Sequence, residues 1–106
     1  MKLTKEIKEI LSTDGLKLEN YPQLQNNKRA ILAAVKQNSR ALLFITNKRF
    51  LKSKNFIKQA VKQNGYAIRF ASDELRDDDE LVMIAMRTSG CDIIKHASQR
   101  IQNYFN

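Results

Sequence analysis

The sequence predicts an all-α fold, a short stack of helical repeats, on three observations. The first is a run that returns at a fixed spacing. Ala34-Val35-Lys36-Gln37-Asn38 recurs as Ala60-Val61-Lys62-Gln63-Asn64-Gly65 and, more loosely, as Ala85-Met86-Arg87-Thr88-Ser89-Gly90, at spacings of 26 and 25 residues. The second is an apolar stripe of helical period inside each copy, and the third is a composition of one proline and three glycines, which leaves little room for linkers. A repeat of this kind has an apolar face that it cannot bury alone, so each copy must stack on its neighbours.

The first half of each copy reads as a helix. Ala30, Ile31, Ala34 and Val35 have the spacing i, i+1, i+4, i+5, and so do Phe56, Ile57, Ala60, Val61 and Leu81, Val82, Ala85, Met86. Asn27, Ser53 and Asp78 stand where each helix begins and can accept from its first free amides. Gly15, Gly65 and Gly90 follow the stripes, where a left-handed residue closes a helix without a Cβ clash, and Ser39 at the same place in residues 27–52 predicts a weaker cap.

The second half reads as a shorter helix held by packing. Leu42, Phe44, Ile45 and Ile68, Phe70, Ala71 point back toward the first helix, and isolated helices under ~12 residues are marginal in water. The third copy, Asp92-Ile93-Ile94-Lys95-His96-Ala97-Ser98, carries one extra residue near Ile94, and Phe50, Leu75 and Ile101 close the linkers. A fainter copy precedes them, with Ile7, Ile10 and Leu11 on its helix, Asp14-Gly15 at its end and Leu24 in its linker. The expected organisation is one domain, 1–106, of about four helix pairs: a divergent cap at 1–26, copies at 27–52 and 53–77, and a divergent cap at 78–106. The pattern leaves the hand of the stack open. It is too short for the tetratricopeptide repeat of about 34 residues or the ankyrin repeat of about 33, and lacks their signatures.

The combination AVKQNG, then Ala67-Ile68-Arg69-Phe70-Ala71-Ser72, then Asp73-Glu74-Leu75-Arg76-Asp77-Asp78 resembles the repeats of domain of unknown function 4116. Residues 53–80 follow that pattern closely, 27–52 well and the flanks loosely. The resemblance implies tandem helical units of the kind found in bacterial and protist proteins, among them candidate effectors of intracellular bacteria. It brings no catalytic residues to carry over. The departures are Ser39 in place of glycine, the extra residue near Ile94, and His96 where an aromatic ring is usual.

With 106 residues and 42% hydrophobic content, a modest core is expected. The longest apolar run, Ala41 to Ile45, is far short of the roughly 20 residues of a membrane helix, and the N-terminus has no signal-peptide core, so no membrane partner is expected. A single cysteine, Cys91, agrees with a reducing compartment, and a cytoplasmic location is the expectation.

Charge is uneven. The net charge is +8, and from Asn20 to Ser72 there are eleven Lys and Arg residues and no acidic one, which makes residues 28–69 a basic body. A plain reading is that lysines coat the solvent faces of helices. A functional reading is an acidic partner: Lys36, Lys62 and Arg87 share one repeat position and would form a column on helices packed roughly 8–10 Å apart. Lys48, Arg49, Lys52, Lys54 and Lys58 would thicken that patch. Nucleic acid is the usual suspect for such a face, yet no nucleic-acid fold motif is present and Phe44, Phe56 and Phe70 lie on core stripes.

Asp73, Glu74, Asp77, Asp78, Asp79 and Glu80 crowd the start of a helix, where the macrodipole and the free amides favour negative charge. The run lacks the regular spacing and turn glycine of a calcium site. A head-to-tail contact of this acidic edge with another copy's basic body would give salt-sensitive self-association. His96 takes the place of Phe44 and Phe70 and is expected at the core, with Cys91 on another face, so no nucleophilic pair forms. No metal, cofactor or catalytic constellation is legible, and the chain reads as a non-enzyme. Tyr104 and Phe105 either cap the last copy or anchor a partner. The expected function is protein binding, as an adaptor or as a stoichiometric regulator or inhibitor of a larger partner, with nucleic-acid binding as the alternative.

Overall fold

The computed structural model describes residues 2–105. Its six α-helices are α1 (Lys5–Thr13), α2 (Lys28–Gln37), α3 (Lys54–Gln63), α4 (Asp73–Arg76), α5 (Asp79–Ser89) and α6 (Gln99–Tyr104), and no strand occurs among the described residues. The long helices form where the stripes predict them. Each is opened by a capping side chain: Thr4, Asn27, Ser53 and Asp78 accept from the amides of Ile7, Ala30, Phe56 and Leu81 at 3.1–3.3 Å.

The expected second helices are 3₁₀ helices, at Gly15–Asn20, Ser39–Phe44, Gly65–Phe70 and Cys91–His96. Each linker is helical as well: Pro22–Leu24 and Lys48–Lys52 are 3₁₀, and α4 and α6 occupy the same place later in the chain. The repeat is therefore a triplet of helical elements rather than a pair. Serine makes the third element possible, because Ser72 and Ser98 cap α4 and α6 by accepting from Leu75 and Ile101. Leu75 and Ile101 then bury their side chains.

The chain divides into two compact units, 1–48 and 49–106, with the division inside the 3₁₀ linker Lys48–Lys52. In the first, α1 packs on α2, and Gly15–Asn20 packs on α2 and on Ser39–Phe44. Leu11, Leu18, Ile31, Val35 and Leu42 are among its buried side chains. In the second, α3 packs on α5, and Gly65–Phe70 packs on α3, α5 and Cys91–His96. Phe56, Ile57, Ile68, Leu81 and Ile93 are buried there. Phe44 and Phe70 are half-buried, and the Arg69 guanidinium lies over the Phe70 ring at 4.6 Å, so of the three phenylalanines assigned to the core only Phe56 is fully enclosed.

The helix ends differ from the expectation. Among the glycines only Gly90 has a positive φ, at 95°. Gly15 and Gly65 do not cap the helices; Asp14 and Asn64 do, with extended backbones, and their carboxylate or amide oxygens accept from Leu16 and Tyr66 at 3.1 and 3.0 Å. Asn38 does the same for Arg40, so Ser39 is no weakened cap but the buried first residue of its 3₁₀ helix. Glycine is required at 15 and 65 for a different reason. A Cβ at Gly15 would collide with the backbone carbonyl of Ala34, and one at Gly65 with that of Ala85 and with Ser89. Both glycine amides also donate to the next long helix, Gly15 to Gln37 Oε1 at 2.7 Å and Gly65 to Ser89 Oγ at 2.8 Å.

The register of the last copy shifts accordingly. α3 has 10 residues and α5 has 11, so the extra residue belongs to the last turn of α5 and not to the region of Ile94. Gly90 then stands in the place of Asn64 and Cys91 in that of Gly65. With no side chain to make the local turn, Gly90 makes it with its backbone.

Gly65→Ala should destabilise the chain by about 1–3 kcal/mol, since backbone atoms of α5 must yield. Denaturant unfolding would show it, and adding Ser89→Ala should not restore stability, because the Ala85 carbonyl remains.

Candidate interaction surface

The acidic run lies at the junction of α4 and α5, and the chain's own cations engage most of it. Lys54 Nζ is 3.0 Å from Asp78 Oδ2 and 3.5 Å from Glu80 Oε1, and Lys58 Nζ is 3.4 Å from the same Glu80 oxygen. Asp73 pairs with Arg76. Arg100 spans Asp77 and Asp79, with Nε 2.8 Å from Asp77 Oδ1 and Nη2 3.0 Å from Asp79 Oδ1, and also donates to the Asp77 carbonyl. The Ser98 hydroxyl donates to Asp77 Oδ1 at 2.5 Å. Glu74 is the one carboxylate of the run without an ion pair among the described residues. The edge expected to seek another copy's basic body is thus largely neutralised at home.

The titration behaviour follows these contacts. The Ser98 hydrogen bond, with that of Arg100, holds the Asp77 carboxyl below its ordinary value. Burial pushes Asp78 up, but the Lys54 hydrogen bond and the Leu81 amide outweigh it and the net shift is downward. The charges of Lys58 and Lys54 lower Glu80, and the hydrogen bond to Asp78 raises Lys54. Burial, then the charges of Lys95 and Arg69, hold the His96 imidazole below its ordinary value. Its ring meets that of Tyr66 edge-on at 6.1 Å, at the margin of the core and not within it.

The basic residues expected to act together stand on several elements of the two units. Lys54 and Lys58 are tied into the acidic run. Lys62 and Arg87 are exposed and line a shallow groove between α3 and α5, which Lys58, Asp79, Glu80 and Met83 share, so its charge is mixed. Lys36 is exposed on the last turn of α2 in the first compact unit. Lys48, Arg49 and Lys52 are exposed on the 3₁₀ linker.

A second surface lies at the far end of the second unit. Ile101 of α6 is 3% exposed and forms a small core with Val82 and Ala97, flanked by Met86 and Ile94. Tyr104 and Phe105 remain outside it, 82% and 54% exposed. With Asp79, Val82, Met83 and Ile101 they line a cavity of about 230 Å³. The covering role expected of the C-terminal segment therefore falls to Ile101. The sequence reading missed Met83, which is 46% exposed beside the aromatic pair. Its signal was available: it takes the repeat position of Lys58.

Cys91 is exposed. Among the described residues no three His, Cys, Asp or Glu side chains gather as metal ligands, and no helix is long and apolar enough to cross a membrane.

Fold and surface together define an all-α helical-repeat protein. Within it, residues 53–102 match the family described as Domain of unknown function (DUF4116), which is the resemblance read from the AVKQNG, AIRFAS and DELRDD segments; residues 27–52 lie outside the match. No curated protein and no solved structure matches the chain.

Two outcomes follow. Because the folded Asp77 carboxyl titrates below its unfolded value, its contribution to stability is present above the unfolded value and is lost as pH falls through the folded one. Arg100→Ala or Ser98→Ala should move the Asp77 carboxyl back up, as read by its ¹³C shift during an acid titration. Ile101→Ala should cost about 2–5 kcal/mol, whereas Tyr104→Ser with Phe105→Ser should change stability by under about 0.5 kcal/mol, both by thermal or denaturant melts.

Proposed function

We propose that this chain is a non-catalytic protein-binding module that acts in the cytoplasm as an adaptor, or as a stoichiometric regulator or inhibitor of a larger partner. The exposed cluster of Met83, Tyr104 and Phe105 around an apolar cavity carries the reading. Two aromatic rings left in water on an otherwise well-buried helical unit are favourable anchors, because aromatic side chains bring large contact area at small entropy cost and are enriched in binding hot spots. An effector-associated role in an intracellular bacterium is part of this proposal, and it rests on the resemblance of the repeats to those found in candidate effectors.

Nucleic-acid binding is the second reading, favoured by the exposed Lys36, Lys48, Lys52, Lys62 and Arg87, for which no ion pair is described. The internal pairing of Lys54 and Lys58 weakens it, since those ammonium groups would have to exchange a carboxylate for a phosphate.

The test is capture of a partner by the purified chain in nuclease-treated lysate, with two variants beside it. A partner held at one-to-one stoichiometry by the Lys36→Glu, Lys62→Glu, Arg87→Glu variant and lost by Tyr104→Ser, Phe105→Ser is the expected result. Retention that nuclease abolishes, or that weakens steeply between ~50 and ~200 mM salt, would overturn it in favour of phosphate contacts.

A further inference from the structure

One groove of the second unit keeps two cations that the molecule does not use. α3 and α5 run parallel: Lys54 at the start of α3 reaches Asp78, the cap of α5, at 3.0 Å, and Gly65, just past α3, donates to Ser89 at the end of α5 at 2.8 Å. Their last turns therefore lie side by side. Lys62 and Arg87, which share one repeat position, line the same end of the groove between them, and packed helix axes stand roughly 8–10 Å apart, which sets the spacing of the two charges. Both walls are helices of this unit, so the groove is complete within it.

The charges along the groove differ in what they are free to do. Glu80 is approached by Lys54 and Lys58, and Asp79 by Arg100, so each carboxylate of the groove is already paired. Lys62 and Arg87 are exposed and make no ion pair among the described residues. One turn toward the start of α5, ~5 Å away, stand the exposed Met83 and the half-buried Ile84. An anion arriving at Lys62 and Arg87 displaces no internal partner, and an apolar group beside it covers Ile84. A long polyanion fits less well, because a phosphate chain continued along the groove meets Asp79 and Glu80.

We propose that this end of the α3–α5 groove holds a short, extended acidic segment of a partner protein, with carboxylates at alternate positions on Lys62 and Arg87 and an apolar side chain on Ile84. In an extended chain alternate side chains share one face about 6.5–7 Å apart, within reach of two long, flexible cationic side chains. The proposal rests on the protein-binding reading and gives an adaptor its second contact, since neither Tyr104 nor Phe105 lines this groove.

The probes are short, end-blocked, labelled peptides titrated against the whole chain by fluorescence anisotropy. One has glutamates at alternate positions followed by leucine, one has lysines in place of the glutamates, one has serine in place of the leucine, and a short single-stranded oligonucleotide is run beside them. The first peptide should bind tightest, and Lys62→Gln with Arg87→Gln should weaken it about fivefold or more. Arg69→Gln with Lys95→Gln removes two charges from the 3₁₀ helices instead and should change it by less than about twofold, which separates a site from the general pull of a basic chain. Tyr104→Ser with Phe105→Ser should leave it unchanged. Melts check that each variant is folded, and the peptide series reads the site with no substitution in the chain. Equal weakening by the two glutamine pairs, equal binding of the glutamate and lysine peptides, or indifference to the loss of leucine would overturn the proposal. Tighter binding of the oligonucleotide, lost with Lys62 and Arg87, would overturn it in favour of phosphate contacts. If the peptides show no preference while lysate capture still depends on Tyr104 and Phe105, the protein-binding reading stands and the groove inference alone falls.

Discussion

The rest of the structure depends on a close approach of backbones. The residue that opens each of two 3₁₀ helices, Gly15 or Gly65, lies against the last turns of the following long helix, near enough to the Ala34 or Ala85 carbonyl that no Cβ fits. At that distance the glycine amide can donate across the repeat, to Gln37 in one case and Ser89 in the other. The bond satisfies a buried donor that would otherwise cost about 1–3 kcal/mol, and it fixes how far one copy advances on the next. Alanines at 34, 60 and 85 serve the same end, since small fully buried side chains let neighbouring elements come close.

Charge supports this stacking within the second unit without dominating it. Lys54 and Lys58 reach the capping turn of the next helix, where Asp78 serves a part-buried cap and an ion pair at once. Lys54 and Glu80 are half-exposed and Lys58 is more than a third exposed, so each pair is worth little by itself. Their larger effect is on recognition. A basic stripe and an acidic run that look like two separate sticky surfaces along the chain are, in this unit, largely partners of one another.

That mutual pairing moves attention to the end of the unit. There the repeat positions that hold lysines on α3 hold Asp79 and Met83 on α5, and two aromatic rings stand beside an apolar cavity.

How much was legible in the sequence can be read from particular residues. The stripes at Ala30 to Val35, Phe56 to Val61 and Leu81 to Met86 determined the long helices, and Asn27, Ser53 and Asp78 determined where they begin, because periodicity and N-capping are local properties of the chain. The role of Gly15 and Gly65 was not local. A glycine after an apolar stripe has the look of a left-handed cap, and only the packed neighbour shows that the missing Cβ makes room for a carbonyl about twenty residues away. The same holds for Lys54 and Lys58, whose charge is plain in the sequence while their partners come from the next repeat. It holds also for Tyr104 and Phe105, whose helical spacing suits a cap until Ile101 is seen to fill that place. Sequence alone determined the repeat, its helices and its charge, since each is written within one copy; tertiary structure decided which glycines, cations and aromatic rings are spent inside the molecule and which remain on its surface, since that depends on what each copy meets in the next.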